Sequence, residues 1–224
     1  MTNTLTKLAL GMIGHLKLEA PQGDVLTNIV LPAPEMSDGP GLMDALHLRR
    51  SGRAFSPTPL RAQTLSNLLW AACGINRPEV GGRTAPSAMN AQEVDLYLAL
   101  PQGLYLYTPT QHVLKLVIAK DVRRATGYQD FVDDAPLDLI FVADHSRMSL
   151  VPASKRVAFA SVAAGAMAQN MALFCASAGL SNVVRAWFDR NALSSAIGLG
   201  NDQQILLTQT VGYPKTGSAA APTP

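Results

Sequence analysis

Charge of either sign is in short supply in this sequence. Eighteen Lys and Arg stand against 16 Asp and Glu, and the net charge is +2. That excludes the broad basic footprint of a nucleic-acid-binding chain, and it makes the few basic residues that do cluster informative. Cysteine is scarcer still: the two residues, Cys73 and Cys175, both lie in apolar, helix-like text. They read as buried reduced thiols and not as a disulfide framework. Four histidines, at 15, 47, 112 and 145, are scattered, and no H-E-x-x-H or paired C-x-x-C spacing exists, so no metal site is expected. Nucleophilic catalysis lacks its signature too. Asp144-His145 has no G-x-S-x-G elbow to serve and reads as a strand-end turn. Gly198-Leu199-Gly200 lacks the third glycine and the strand–helix context of a dinucleotide loop. Residues 8–18 are mildly apolar, but His15 and Lys17 interrupt them, so no cleaved signal peptide is expected and the location is read as cytoplasmic.

What is present is apolar. With 224 residues, 48% of them hydrophobic, the chain can bury one good-sized core, and one domain is expected. Residues 1–34 read as an N-terminal arm whose end, Asn28 to Pro34, is an extended lead-in stiffened by Pro32 and Pro34. Residues 35–217 read as the domain and 218–224 as a mobile tail. Leu42, Ala45 and Leu46 mark a short helix over Gly41–Leu48, and Leu65, Leu68, Leu69 and Ala72 mark a second over Leu60–Cys73, ended by Gly74. A polar loop spans Asn76–Gln92. Val94–Leu100, the turn Pro101–Gly103 and Leu104–Tyr107 form a hairpin. His112–Ala119 is amphipathic without a decisive period, Val122–Val132 reads as a short helix and Leu137–Ala143 as a buried strand. Ser154–Ala178 is the longest periodic segment and nearly all apolar. Its length would let it span a bilayer, but Gln169, Asn170 and the initial Lys155-Arg156 argue for a central core or dimer helix, so no membrane is expected. Asn182–Phe188 is extended, Asn191–Ile197 is a short helix capped by Asp189 or Asn191, and Ile205–Tyr213 is a final strand. The fold class is α+β, an antiparallel-rich sheet with helices packed on it.

Three constellations could carry chemistry. The first is Arg49-Arg50-Ser51-Gly52-Arg53, just past a helix end. If the chain runs extended, Arg49, Ser51 and Arg53 point to one side, and two guanidinium forks with a hydroxyl suit a phosphate dianion. A solvated basic turn is the alternative. The second is the loop Arg83 to Gln92. Its Asn90 and Gln92 each carry a donor and an acceptor, as the imide edge of a flavin or uracil ring demands, though a polar connection would look the same. The third is Lys215, past a strand end, within reach of a phosphate or simply solvated. Tyr105 and Tyr107 share one hairpin face and are read as surface packing or as a stacking platform for substrate.

Taken together, Arg49-x-Ser51-x-Arg53-x-Phe55, then Leu68-Leu69-Trp70-Ala71-Ala72-x-Gly74-Ile75-Asn76-Arg77, then Arg83-Thr84-x-Pro86-Ser87-Ala88-x-Asn90-x-Gln92, resemble the nitroreductase-like FMN-dependent oxidoreductases over about residues 29–217. Leu31-Pro32-x-Pro34, Gly103-Leu104-Tyr105-x-Tyr107 and the Leu-Leu-Trp-Ala-Ala helix are most similar to the branch that includes the dehydrogenases of thiazoline- and oxazoline-containing peptide biosynthesis. The resemblance implies a nitroreductase-like fold, mainly antiparallel, and a homodimer built on the long apolar helix, with two FMN sites across the interface. It implies that Arg49, Arg50, Ser51, Arg53 and Lys215 hold the phosphate. Ser87, Ala88, Met89, Asn90 and Gln92 of the other subunit would line the ring, and Val184, Arg185 and Ala186 would lie near its reactive face. Many relatives have Glu-Gly where this chain has Ala186-Trp187, so Trp187 and Tyr105 are expected to shape the substrate pocket. The implied activity is ping-pong hydride transfer from NAD(P)H through flavin N5 to a small conjugated acceptor, with no catalytic side chain required. Oxidation of azoline-type peptides and flavin binding without turnover are the alternatives.

Overall fold

The computed structural model describes residues 18–37 and 39–215. The expectations for residues 1–17 and for the tail lie outside the described residues. Residues 28–34, read as part of the arm, join the fold: β1 (Asn28–Val30) pairs with β6 (Val113–Ile118), and Leu31 is buried in the core. The same lead-in is locked by His112. Tyr107 Oη lies 2.8 Å from His112 Nδ1, Nε2 lies 2.7 Å from Ser66 Oγ, and Ser66 donates to Pro32 O at 2.6 Å. One neutral tautomer satisfies all three: Tyr107 donates to Nδ1 and Nε2–H donates to Ser66.

The sheet is centred on β4 (Val94–Leu100) and β7 (Leu137–Asp144), because these strands are apolar on both sides. Along β4, Val94, Leu96, Leu98 and Leu100 enter one core while Tyr97 and Ala99 enter a second. A period of two with both faces buried demands cover on both faces. The first core is covered by α2 (Ala62–Cys73) and α4 (Ala153–Ser177), the second by α5 (Arg190–Ile197) and the segment around Val122 and Ala125. With β5 (Gly103–Thr108), β8 (Ser181–Arg185) and β9 (Gln203–Gly212) the order is β1-β6-β5-β4-β7-β9-β8, and every pairing among the described residues is antiparallel.

Three segments depart from the sequence reading. The polar loop contains a two-stranded ribbon, β2 (Ile75–Arg77) with β3 (Gly82–Arg83). His112–Ala119 is the strand β6, whose weak period follows from its place beside the three-residue edge strand β1, where Lys115 and Val117 face outward. The helix expected over Val122–Val132 is instead a 3-10 turn, Arg123–Thr126, and a single α-turn, α3 (Phe131–Asp134). Gly127 separates them in extended conformation, and it is glycine because a Cβ there would sit 1.9 Å from Arg185 Nη1. Gly74 does end α2, but with φ −64° and ψ 160°. It is glycine because a Cβ would lie 2.2 Å from Trp70 Cδ1. Gly179 ends α4 in the left-handed region, φ +67°, and Leu180 N closes the turn on Cys175 O.

By length and composition alone α4 could cross a bilayer. In this fold it is a core helix on one side: Ala160, Ala164, Met167, Met171 and Cys175 are buried, and Asn170 donates to Ala71 O on α2. On its outer side Val157, Phe159, Val162 and Gly165 are exposed.

Candidate functional site

The basic stretch begins where α1 (Leu42–Leu48) stops at Arg49, whose ψ of 120° turns the chain extended. It then lies across the ends of β8 and β9. Gly52 N donates to Asn182 O at 2.8 Å, Ser56 N to Tyr213 O at 2.9 Å and Lys215 N to Ala54 O at 3.2 Å. Phe55 bridges Pro214 and is buried against Phe131. Gly52 allows this close lie, because a Cβ there would meet Ser181 Oγ at 2.8 Å. The result is a cleft of about 510 Å3 between this segment and the α4–β8 turn. Arg49 and Arg50 line it with His47, Gly52, Ser181 and Asn182. Ser51 and Arg53 are exposed beside it rather than on its wall, so the simple one-side alternation does not describe the cleft. Lys215, far away in sequence, is brought next to Ala54 by the Phe55–Pro214 bridge. Among the described residues no carboxylate pairs with Arg49, Arg50, Arg53 or Lys215.

The second constellation is a strained loop. Met89, Asn90 and Gln92 have φ of 53°, 52° and 50°, the left-handed region that side chains avoid. Such conformations persist only where the surroundings enforce them. Here Gln92 N donates to Ser87 Oγ at 3.0 Å, and Gln92 Nε2 donates to Gly81 O at 2.7 Å and Asn90 Oδ1 at 3.2 Å. These bonds also fix what is left over. Ser87 keeps its hydroxyl proton, Asn90 keeps its amide protons and Gln92 keeps Oε1. Two donors and one acceptor are the complement of an imide edge, which offers carbonyl, N–H, carbonyl. Met89 is exposed and Ala88 half-buried. The loop packs on the middle of α4, sharing a small cavity wall with Ala163 and Met167.

The third piece is the end of β8. Val184 is exposed, but the Arg185 side chain turns inward, 5% exposed. It bonds Asp138 Oδ1 and Thr126 O, each at 2.6 Å. Only its backbone is available to a ligand on the outer surface. Burial pushes Asp138 up to about 6, against the opposing pull of Arg185 and Thr210, and burial lowers Arg185. Desolvation thus outweighs the attraction within this pair. Trp187 stands out from the surface, 54% exposed, with its ring 5.6 Å from that of Tyr128 at 63°.

Tyr105 corrects the sequence reading. It is fully buried in the core between sheet and helices, so it does not line a surface pocket. Tyr107, on the same face, is buried too and is spent on His112. Burial pushes the Cys73 thiol up to about 12 and raises Cys175 as well, so neither is a nucleophile at neutral pH.

Sequence reasoning missed His47, Ser181 and Asn182, which no local pattern marks. It also passed over the Asp138–Arg185 pair. That one left a signal: a lone carboxylate within the apolar run Leu137–Ala143 requires a partner, and Arg185 follows the apolar pair Val183-Val184.

Comparison with known proteins bears on this arrangement. The Nitroreductase family model matches residues 46–213. A Methanocaldococcus jannaschii protein, MJ1384, assigned as a nitroreductase, is 31% identical over 159 residues, covering 66% of this chain and 80% of its own. A Ralstonia eutropha crystal structure, also assigned as a nitroreductase, superposes with a TM-score of 0.86 at 48% identity, covering 90% of this chain and 96% of that one. A chain of the E. coli microcin synthetase McbBCD complex has the same fold, with a TM-score of 0.66 at 19% identity over 84% of this chain and 78% of that one. The chain therefore belongs to the nitroreductase family and is an oxidoreductase of the flavin-dependent kind.

Proposed function

We propose that the chain is an FMN-dependent oxidoreductase that takes hydride from NAD(P)H and passes electrons to a small conjugated acceptor such as a nitroaromatic or a quinone. We also propose that it works as a homodimer whose flavin sites are shared between the copies. One observation carries the reading. Four cations, Arg49, Arg50, Arg53 and Lys215, gather on two bridged segments beside a cleft, and among the described residues none has a carboxylate partner. Uncompensated guanidinium groups on a cleft wall are what a phosphate dianion requires.

FMN, when bound, supplies the N5 centre at which hydride is taken up and given back. The protein's part is binding and orientation. Arg49 and Arg50 would clasp the phosphate from the cleft wall, with Arg53 and Lys215 adding charge at its rim and Ser51 a hydroxyl donor. The Ser87 hydroxyl and the Asn90 amide would donate to the ring carbonyls, and Gln92 Oε1 would accept from the imide N–H, with Ala88 and Met89 completing that edge. The backbone of Val184, Arg185 and Ala186 would lie against the ring, and the outward Trp187 would wall the acceptor side. None of these groups needs to transfer a proton to substrate.

The test is direct. Purified protein should bind FMN, lose its yellow colour with NADH or NADPH under anaerobic conditions, and regain it with a quinone. Yellow protein that neither donor bleaches would favour azoline-peptide oxidation or a carrier role. Colourless protein that takes up no added FMN would overturn the reading. Within it, Arg49→Ala should raise the FMN Kd more than Lys215→Ala, because Arg49 lines the cleft and Lys215 stands at its rim. Equal dissociation constants for the two variants would refute that assignment.

A further inference from the structure

The strained loop is held from outside by one arginine that the function just proposed does not use. Arg147 lies in the 3-10 turn after β7, His145–Met148. Its Nη1 donates to Gln92 O at 3.0 Å and to Asp95 Oδ1 at 2.9 Å, while Nη2 donates to Asp95 Oδ2 at 2.5 Å. Its Nε faces Asp144 Oδ2 at 3.1 Å, and Asp144 in turn caps the turn by accepting from Ser146 N and Oγ. Four of the five guanidinium N–H groups are thereby directed: two at Asp95 on β4, one at Asp144 at the end of β7, one at the loop carbonyl.

We infer that Arg147 is a positioning residue for the ring-binding loop, transmitting the rigidity of the β4–β7 pair to the left-handed Gln92 and, through the Ser87–Gln92 bond, to the whole 87–92 turn. Gln92 is the residue at which the turn rejoins the sheet, since Val94 opens β4 and pairs with Ala143 of β7. With Gln92 O fixed from one side and its N and Nε2 fixed from the other, the unfavourable φ has no freedom to relax. The fork explains why arginine stands here. Lysine could neutralise the two carboxylates as a point charge, but it could not hold Asp95 bidentately and reach the Gln92 carbonyl at once. The functional half of this inference rests on the proposed role of the loop in holding the flavin ring; the clamp itself does not.

The experiment separates the two. Amide hydrogen exchange of residues 87–92 is measured in full-length wild type and in Arg147→Lys, Arg147→Met and Arg190→Met. The last removes another arginine that holds a carbonyl, Leu206 O, elsewhere in the fold. Exchange in the turn should quicken on the order of tenfold in Arg147→Met, less in Arg147→Lys, and not in Arg190→Met. Unchanged exchange in Arg147→Met would overturn the clamp. The second arm compares the dissociation constants of FMN and riboflavin. Arg147→Met should weaken both by the same factor, on the order of tenfold, because the lost contact concerns the ring and not the phosphate. A looser turn with unaltered affinity for both would overturn the ring-binding role of the loop while leaving the clamp standing. Wild type that binds neither flavin would overturn the proposed function, and the exchange arm would still decide the clamp.

Discussion

Asp138 and Arg185 show how a single pair can shape a surface it never touches. Both are buried, Asp138 completely, and they bond Thr210, Thr126 and each other beneath the end of β8. The pair fixes the strand whose outer backbone is proposed to face the flavin. Its strength as a stabilising contact is modest, since burial raises the acid and lowers the base. Its removal by halves is another matter, because a lone buried charge is left behind. Asp138→Leu should cost about 3–5 kcal/mol, read from urea unfolding, and Arg185→Met a comparable amount. The double variant should lose less than either single one, because no charge is then stranded. A double variant as unstable as the sum of the singles would show that the surrounding threonines, and not the mutual pairing, set the cost.

At the scale of elements, the segment from Arg49 to Ser56 behaves as an extra strand laid across β8 and β9, with Gly52 as its tightest contact. Gly52→Ala would press a methyl group against Ser181, whose Cβ lies at 3.0 Å from the new carbon. The segment must then lift from the cleft wall, and FMN affinity should fall by about three- to tenfold with little change in unfolding midpoint, because the core beneath is untouched. Titration of wild type and Gly52→Ala with FMN checks this, and unaltered affinity would mean that Ser181 yields instead. Elements whose own pattern fixes them were legible in the sequence: α2 and α4 by their 3.6-residue period, β4, β5, β7 and β9 by apolar alternation or runs. Those fixed by a distant neighbour were not. β6 is half covered because its partner is short, and residues 123–134 break where the Arg185 guanidinium takes Thr126 O beside Gly127. The candidate site followed the same rule. Arg49, Arg50, Ser87 and Gln92 were visible in their local motifs, whereas Ser181, Asn182 and Arg147 enter only through the folded chain.

At the scale of the whole molecule, the proposed ring loop and phosphate cleft meet α4 at different heights. The ring loop meets α4 at Ala163 and Met167, and the phosphate cleft meets it at Ala176. Nine residues separate Met167 from Ala176, about 14 Å along the axis. From the imide edge, FMN spans roughly 5 Å of ring and then seven single bonds to phosphorus, roughly 9 Å at full extension, so one extended flavin matches that rise. The shared-site reading proposed above therefore rests on the outer face of α4 and not on the length of the flavin. The outer face of α4 supplies the means of combining copies: Val157, Phe159 and Val162 are exposed, and Gly165 has open space where a Cβ would stand. A two-fold pairing of these helices would bring the ring loop of one copy toward the cleft of the other. Val162→Arg should then separate the copies, seen as a halved mass by light scattering, and abolish FMN binding although every proposed ligand remains in place. The two losses should share one concentration dependence, since on the proposed reading both copies build each site. A Val162→Arg monomer that still binds FMN with wild-type affinity would place the whole flavin within one copy and end the shared-site reading.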